Sequence, residues 1–158
     1  MKIFDTSRGK NGFTIVELMI VLTVIAVMAS IAVPYLLRVR VQSNETAAIG
    51  NLRTISSAAE SFRTTQNPPK YPAGVDDLVN STPSYLDSSW TSGQRQGYEY
   101  EYAVSSAGET YSDVAQPIIA NISGVNSYCI DHTGVVKKYT LGSATGDENG
   151  CGAGGTPV

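Results

Sequence analysis

Few residues in this chain could do chemistry. Its 158 residues hold one histidine, His132, and two cysteines, Cys129 and Cys151. These fall short of the four nitrogen or sulfur ligands of a structural zinc site, which all but excludes one. His132 is the sole histidine base and nothing in the sequence places Cys129 beside it. There is no His-Glu-x-x-His pattern and no nucleophile elbow. We therefore expect no catalytic residue, no metal, no cofactor and no enzymatic activity. Gly150–Gly155 superficially resembles a dinucleotide loop, but no strand precedes it and no helix follows. Asp147, Glu148 and Asn149 could offer oxygen ligands, yet they match no defined calcium loop. A formal charge of -3 and a pI near 5.0 give no nucleic-acid footprint.

Glu17 is the informative residue. Phe13 to Leu37 reads FTIVELMIVLTVIAVMASIAVPYLL, in which Glu17 and Tyr35 are the only ionisable groups. A run of about 20 apolar residues crosses a hydrocarbon core of roughly 30 Å, so this is a candidate membrane span. Core helices seldom run so long without a polar face. An ionisable residue inside a span is a functional candidate by default, although Glu17 lies one turn in and could snorkel to the headgroups. Lys2, Arg8 and Lys10 against Asp5 precede the span, which orients the chain N-in and C-out. Val27–Ala29 and Ser30–Ala32 resemble signal-peptide cleavage sites, but the apolar run is longer than a usual signal core and continues into a helical pattern.

The elements that must position these residues follow from periodicity. Val41, Ala48, Leu52, Ile55, Ala59 and Phe62 recur at a 3/4 spacing, with Glu45 in the remaining heptad slot. Arg53, Ser56, Glu60 and Arg63 occupy the other face. One helix is expected from Thr14 to Thr64, roughly 75 Å long at about 1.5 Å per residue. Pro34 removes one of its backbone hydrogen bonds and marks a local weak point. The chain thus divides into residues 1–12 (basic leader), 13–37 (apolar half-helix), 38–65 (amphipathic half-helix), 66–97 (proline-rich connection) and 98–158 (sheet and C-terminal loop).

Four strands are expected after the connection. Tyr98–Val104 sets tyrosines against Glu99 and Glu101 in strict alternation, a half-buried strand. Tyr111–Ile119 and Ser127–Ile130 are weaker candidates and Val135–Leu141 a better one. Asp131-His132-Thr133-Gly134 reads as a hairpin turn with Gly134 at positive φ. The apolar face of the sheet would cover the stripe of the amphipathic half-helix. The nine tyrosines read as sheet-face packing rather than a conducting stack. The glycine-rich stretch from Gly142 reads as a flexible tail. An extracytoplasmic compartment favours one disulfide, Cys129–Cys151, over two free thiols.

Lys10-Asn11-Gly12, Phe13, Thr14, Glu17 and Leu18, followed by the apolar run with Pro34, resemble the type IV prepilin family over about the first 65 residues. That family includes type IV pilins and the pseudopilins of type II secretion. The resemblance implies an α+β fold: a long N-terminal helix, transmembrane in its first half, on a small antiparallel sheet with a disulfide-closed C-terminal loop. It implies cleavage after Gly12 by a prepilin peptidase that also N-methylates Phe13. It further implies that Glu17 pairs with a neighbour's N-terminus during assembly, with Pro34 in the assembly helix. Its partners would be like subunits in a helical filament, the inner membrane and an assembly platform. The protein would be a single-pass inner-membrane subunit and then part of an extracellular filament, with adhesion or motility as its roles. Major pseudopilins generally lack the disulfide and carry calcium, so a type IV pilus subunit is preferred and a periplasmic pseudopilus subunit is the alternative.

Overall fold

The computed structural model describes residues 12–158, so the leader cations Lys2, Arg8 and Lys10 lie outside the described residues. The chain forms two compact units, one through Leu36 and one from Leu37 to Val158. Helix α1, Ile15–Thr65, supplies the whole regular structure of the first unit and continues into the second. Pro34 falls inside it. It ends where Pro68 and Pro69 approach, since a proline ring excludes helical geometry from the residue before it.

The second unit is built on an antiparallel meander. Strands β1 (Gln94–Arg95), β2 (Tyr98–Val104), β3 (Tyr111–Pro117), β4 (Asn126–Asp131) and β5 (Lys137–Thr140) neighbour one another in chain order. A sixth strand, β8 (Thr156–Pro157), closes the far edge against β5. The four long strands are the expected ones; the two-residue edge strands β1 and β8 are additional. The β4–β5 turn is tied by the Gly134 amide to the Asp131 carbonyl at 2.8 Å. Gly134 takes φ 74° there, as expected for that turn.

One face of the sheet is covered by α1. Ala48 and Leu52 pack on Tyr98, Ala115, Tyr128 and Ile130. Ile55 and Ala58 pack on Leu78, Leu86 and Trp90. The last three come from the connection, which is more regular than the sequence indicated. It contains α2 (Val75–Asn80) and a 3-10 turn over Ser88–Ser92, whose first free amide bonds the Asp87 carboxylate.

The reading of residues 142–158 as a flexible tail is corrected. Strands β6 (Gly146–Asp147) and β7 (Gly150–Cys151) form a hairpin on the other face of the sheet. Val114, Cys129, Tyr139 and Ala144 are buried beneath it. The glycines allow the close approach rather than marking disorder: a Cβ on Gly146 would lie 2.6 Å from Val114. Ser112 donates to the Asp147 carbonyl at 2.8 Å and Tyr139 to that of Gly152 at 2.5 Å. A disulfide joins Cys129 to Cys151 across 22 residues of sequence.

Candidate assembly segment

Helix α1 opens with a reciprocal cap that its sequence pattern, Thr-x-x-Glu, dictates. The Glu17 amide donates to the Thr14 hydroxyl at 3.1 Å, while the Glu17 carboxylate accepts from the Thr14 amide at 3.1 Å and hydroxyl at 3.0 Å. Two orphan groups of the first turn are thereby satisfied. The Glu17 carboxylate is thus partnered within the lone subunit, and the Thr-x-x-Glu pattern is the sequence signal for it. Gly12 and Phe13 lie immediately ahead, both exposed.

From Phe13 to Leu37 the helix presents apolar side chains all round. Phe13 is 86% exposed and Met28, near the middle, 65% exposed. No residue in the most apolar window of this helix is buried within the chain. Such a surface demands a medium other than water, either lipid or other apolar helices. Thr23 and Ser30 turn their hydroxyls back onto the carbonyls of Ile20 and Val27 at 2.8 and 2.7 Å. These two hydroxyls are thus satisfied within the helix.

The head is bound to α1 through polar contacts as well as apolar ones. Glu45, in the middle of the apolar stripe, accepts from the amides of Val125 and Asn126 at 2.8 and 3.0 Å, and from the Asn126 side chain at 3.0 Å. Tyr128 adds a fourth donor at 3.3 Å. Ser56 and Glu60, read as solvent-facing, accept from Tyr111 and Tyr71, each at 2.8 Å. Asn51 donates to Tyr100 at 2.9 Å. Burial pushes the hydroxyls of Tyr71, Tyr100, Tyr111 and Tyr128 up to about 12, which keeps them neutral. The tyrosines pack on the sheet as expected, and several also use their hydroxyls to fix the helix.

Two aspartates flank the disulfide strand. Burial pushes the Asp131 carboxyl up, but bonds from the Thr133 hydroxyl and amide, the Cys151 amide and Lys137 outweigh it and hold it low. Asp113, opposite Tyr102 and Ile130 on the neighbouring strands, is fully buried and has no hydrogen-bond partner among the described residues. Desolvation raises it to about 8. Sequence reasoning missed it, because an aspartate in a strand reads as an outward-facing residue. Asp147 accepts from the Asn149 amide at 2.8 Å. His132 is exposed beside the β4–β5 turn.

The family model described as a prokaryotic N-terminal methylation motif matches residues 7–33. The type IV major pilin protein PilA of Myxococcus xanthus is 28% identical over 155 residues, 92% of this chain and 66% of that protein. The type IV wide pilus major component PilA4 of Thermus thermophilus is 30% identical over 95 residues, 58% of this chain and 71% of that protein. This chain belongs to the type IV prepilin family. The type II secretion system core protein G of Aeromonas hydrophila is 29% identical over 76 residues, 46% of the prepilin and 52% of that protein. The prepilin thus spans 66% of the Myxococcus pilin and about half, 52%, of the Aeromonas protein. No solved structure gives a significant match. The prepilin is a pilin-like structural subunit and not an enzyme.

Proposed function

We propose that the chain is a type IV pilus subunit, made as an inner-membrane precursor with its N-terminus inside. A prepilin peptidase hydrolyses the Gly12–Phe13 bond and the new Phe13 amine is then methylated. The observation that carries this reading is an exposed, predominantly apolar half-helix whose first turn bears a carboxylate. Lipid covers that surface before assembly, and the helices of neighbouring subunits cover it in the filament core.

Glu17 acts at the transfer between the two. Cleavage creates a cation at Phe13, four residues from Glu17 in the sequence. In the filament, a neighbour's Phe13 ammonium replaces or joins Thr14 as the partner of the carboxylate, which specifies register as well as attraction. Pro34 lowers the local cost of bending the assembly helix. Loss of the leader removes three cations and one carboxylate, so the mature chain is more acidic than the formal -3 of the full sequence.

Gly12→Val tests the cleavage step. A full-length chain should accumulate in the membrane and filaments should be absent; normal filaments from this variant would overturn the reading. The second reading, a type II secretion pseudopilin, is favoured by the likeness to two core proteins G, from Aeromonas hydrophila and Pseudomonas aeruginosa. The Cys129–Cys151 link and the match of 92% of the chain to a major pilin support the pilus instead. A retraction-ATPase gene beside this one would support a pilus, and a secretin gene with further pseudopilins would support secretion.

A further inference from the structure

The β3–β4 connection is built inside out. Residues 118–125 contain no charged side chain. Ile118, Ile119, Ile122 and Val125 are 46% to 65% exposed, while Ser123 is turned inward and buried. The Ser123 hydroxyl accepts from the Ile119 amide at 2.9 Å and donates to the Ile119 carbonyl at 3.0 Å. The Asn121 amide bonds the Gly124 carbonyl at 2.9 Å. Asn44 and Glu45 of α1 then clamp the loop through Ser123, Val125 and Asn126. An ordered turn therefore holds four apolar side chains in solvent, and its position is fixed against the helix.

On the helix side of that clamp, Leu37 and Val39 are exposed too, and Arg38 and Arg40 alternate with them. Neither arginine makes an ion pair among the described residues. From Leu37 to Asn44 the helix advances only roughly 10 Å at about 1.5 Å per residue. That matches the reach of interfacial apolar faces, which enter the headgroup and acyl boundary by about 5–10 Å.

We propose that Leu37, Val39 and the β3–β4 loop form a lipid-facing collar, seated in the anionic headgroup layer of the membrane while the subunit awaits assembly. The inference rests on the reading of residues 13–37 as a membrane span. A lipid surface is the occupant because the apolar residues adjoin the end of the span and the cationic Arg38 and Arg40 complement anionic headgroups. The loop carries no charge of its own to offset. Insertion of Ile122 and its neighbours holds the head against the bilayer, and release from lipid accompanies entry into a filament.

Brominated-lipid quenching tests this on the full chain in phosphatidylethanolamine–phosphatidylglycerol vesicles, using Ile122→Trp, with Ile119→Trp as the second variant. Buried Trp90 is the internal reference for folding. Bromines in the upper acyl chain should quench the added emission by about twofold or more, the depth expected of an interfacial side chain. Quenching should weaken in phosphatidylcholine vesicles and in the Arg38→Gln/Arg40→Gln background. Added emission no more quenched than that of Trp90 would overturn the collar. So would emission shielded from bromine only at high protein density, which would mean that a second copy covers the loop. Met28→Trp with deep bromines separates the two levels. If it is quenched while the loop variants are not, the collar fails alone; if it too is unquenched, the span reading fails with it.

Discussion

Three carboxylates with unlike surroundings make the most specific predictions at the scale of single residues. Glu17 is capped by Thr14, so its removal is felt twice, once in the helix and once in assembly. Glu17→Gln keeps a capping acceptor while removing the charge. The account predicts a normally folded, membrane-inserted subunit that fails to form filaments. Thr14→Ala should fray the first turn by about 1 kcal/mol and leave assembly largely intact. Sedimentable filament from each variant checks both expectations, and wild-type yields from Glu17→Gln would contradict the pairing role. Asp113 predicts a pH dependence. Its carboxyl is raised from an ordinary 3.8 to about 8, so its stabilising neutral form is complete below the ordinary value and is lost as pH rises to about 8. Tyr100, Tyr102 and Tyr111 face it and stay neutral through that window. Asp131 works in the opposite direction, since a depressed carboxyl contributes above its unfolded value and loses that contribution in acid. Thermal unfolding should therefore weaken from pH 5 toward 8 in the wild type, by roughly a few kcal/mol. Asp113→Asn should flatten that limb and leave the acid limb in place.

At the scale of elements, the head is held by a helix on one sheet face and a stapled hairpin on the other. Cys151→Ser opens a loop with a sequence separation of 22 residues, which should cost about 3 kcal/mol in urea unfolding. Glu45→Ala strands the Val125 and Asn126 amides beside the helix. It should cost about 2–3 kcal/mol, more than an exposed glutamate would. A change under about 0.5 kcal/mol would show that water replaces the clamp. These elements were unequally legible in the sequence. The tyrosine strand β2 was readable because one face meets the helix and the other water, so its pattern alternates. β3 and β4 gave weak signals because α1 covers one face and the C-terminal hairpin the other, and burial on both faces removes alternation. The hairpin itself was misread because close packing of backbone on a sheet uses glycine, the residue that also marks flexible chain. Glu45 fell in the predicted stripe, yet its role depended on where the β3–β4 turn would place two amides. Periodicity contains nothing about that.

For the whole molecule, the sequence averages conceal a division of labour. A mean hydropathy of -0.06 is the sum of an apolar half-helix and a polar head. The half-helix was legible because length and composition alone mark it, and the Gly12-Phe13-Thr14-Ile15-Val16-Glu17 junction set it in a family. The head names no machine by its chemistry, and its likenesses divide between pilus and secretion proteins. The central claim is that a leader is removed at one bond and that the exposed apolar helix is then built into a filament. Mass spectrometry of the N-terminal peptide from purified surface filaments tests it most directly. The account predicts N-methylated Phe13 as the first residue. A first residue at Met1, or one following Ala29 or Ala32 with the apolar segment discarded, would contradict it.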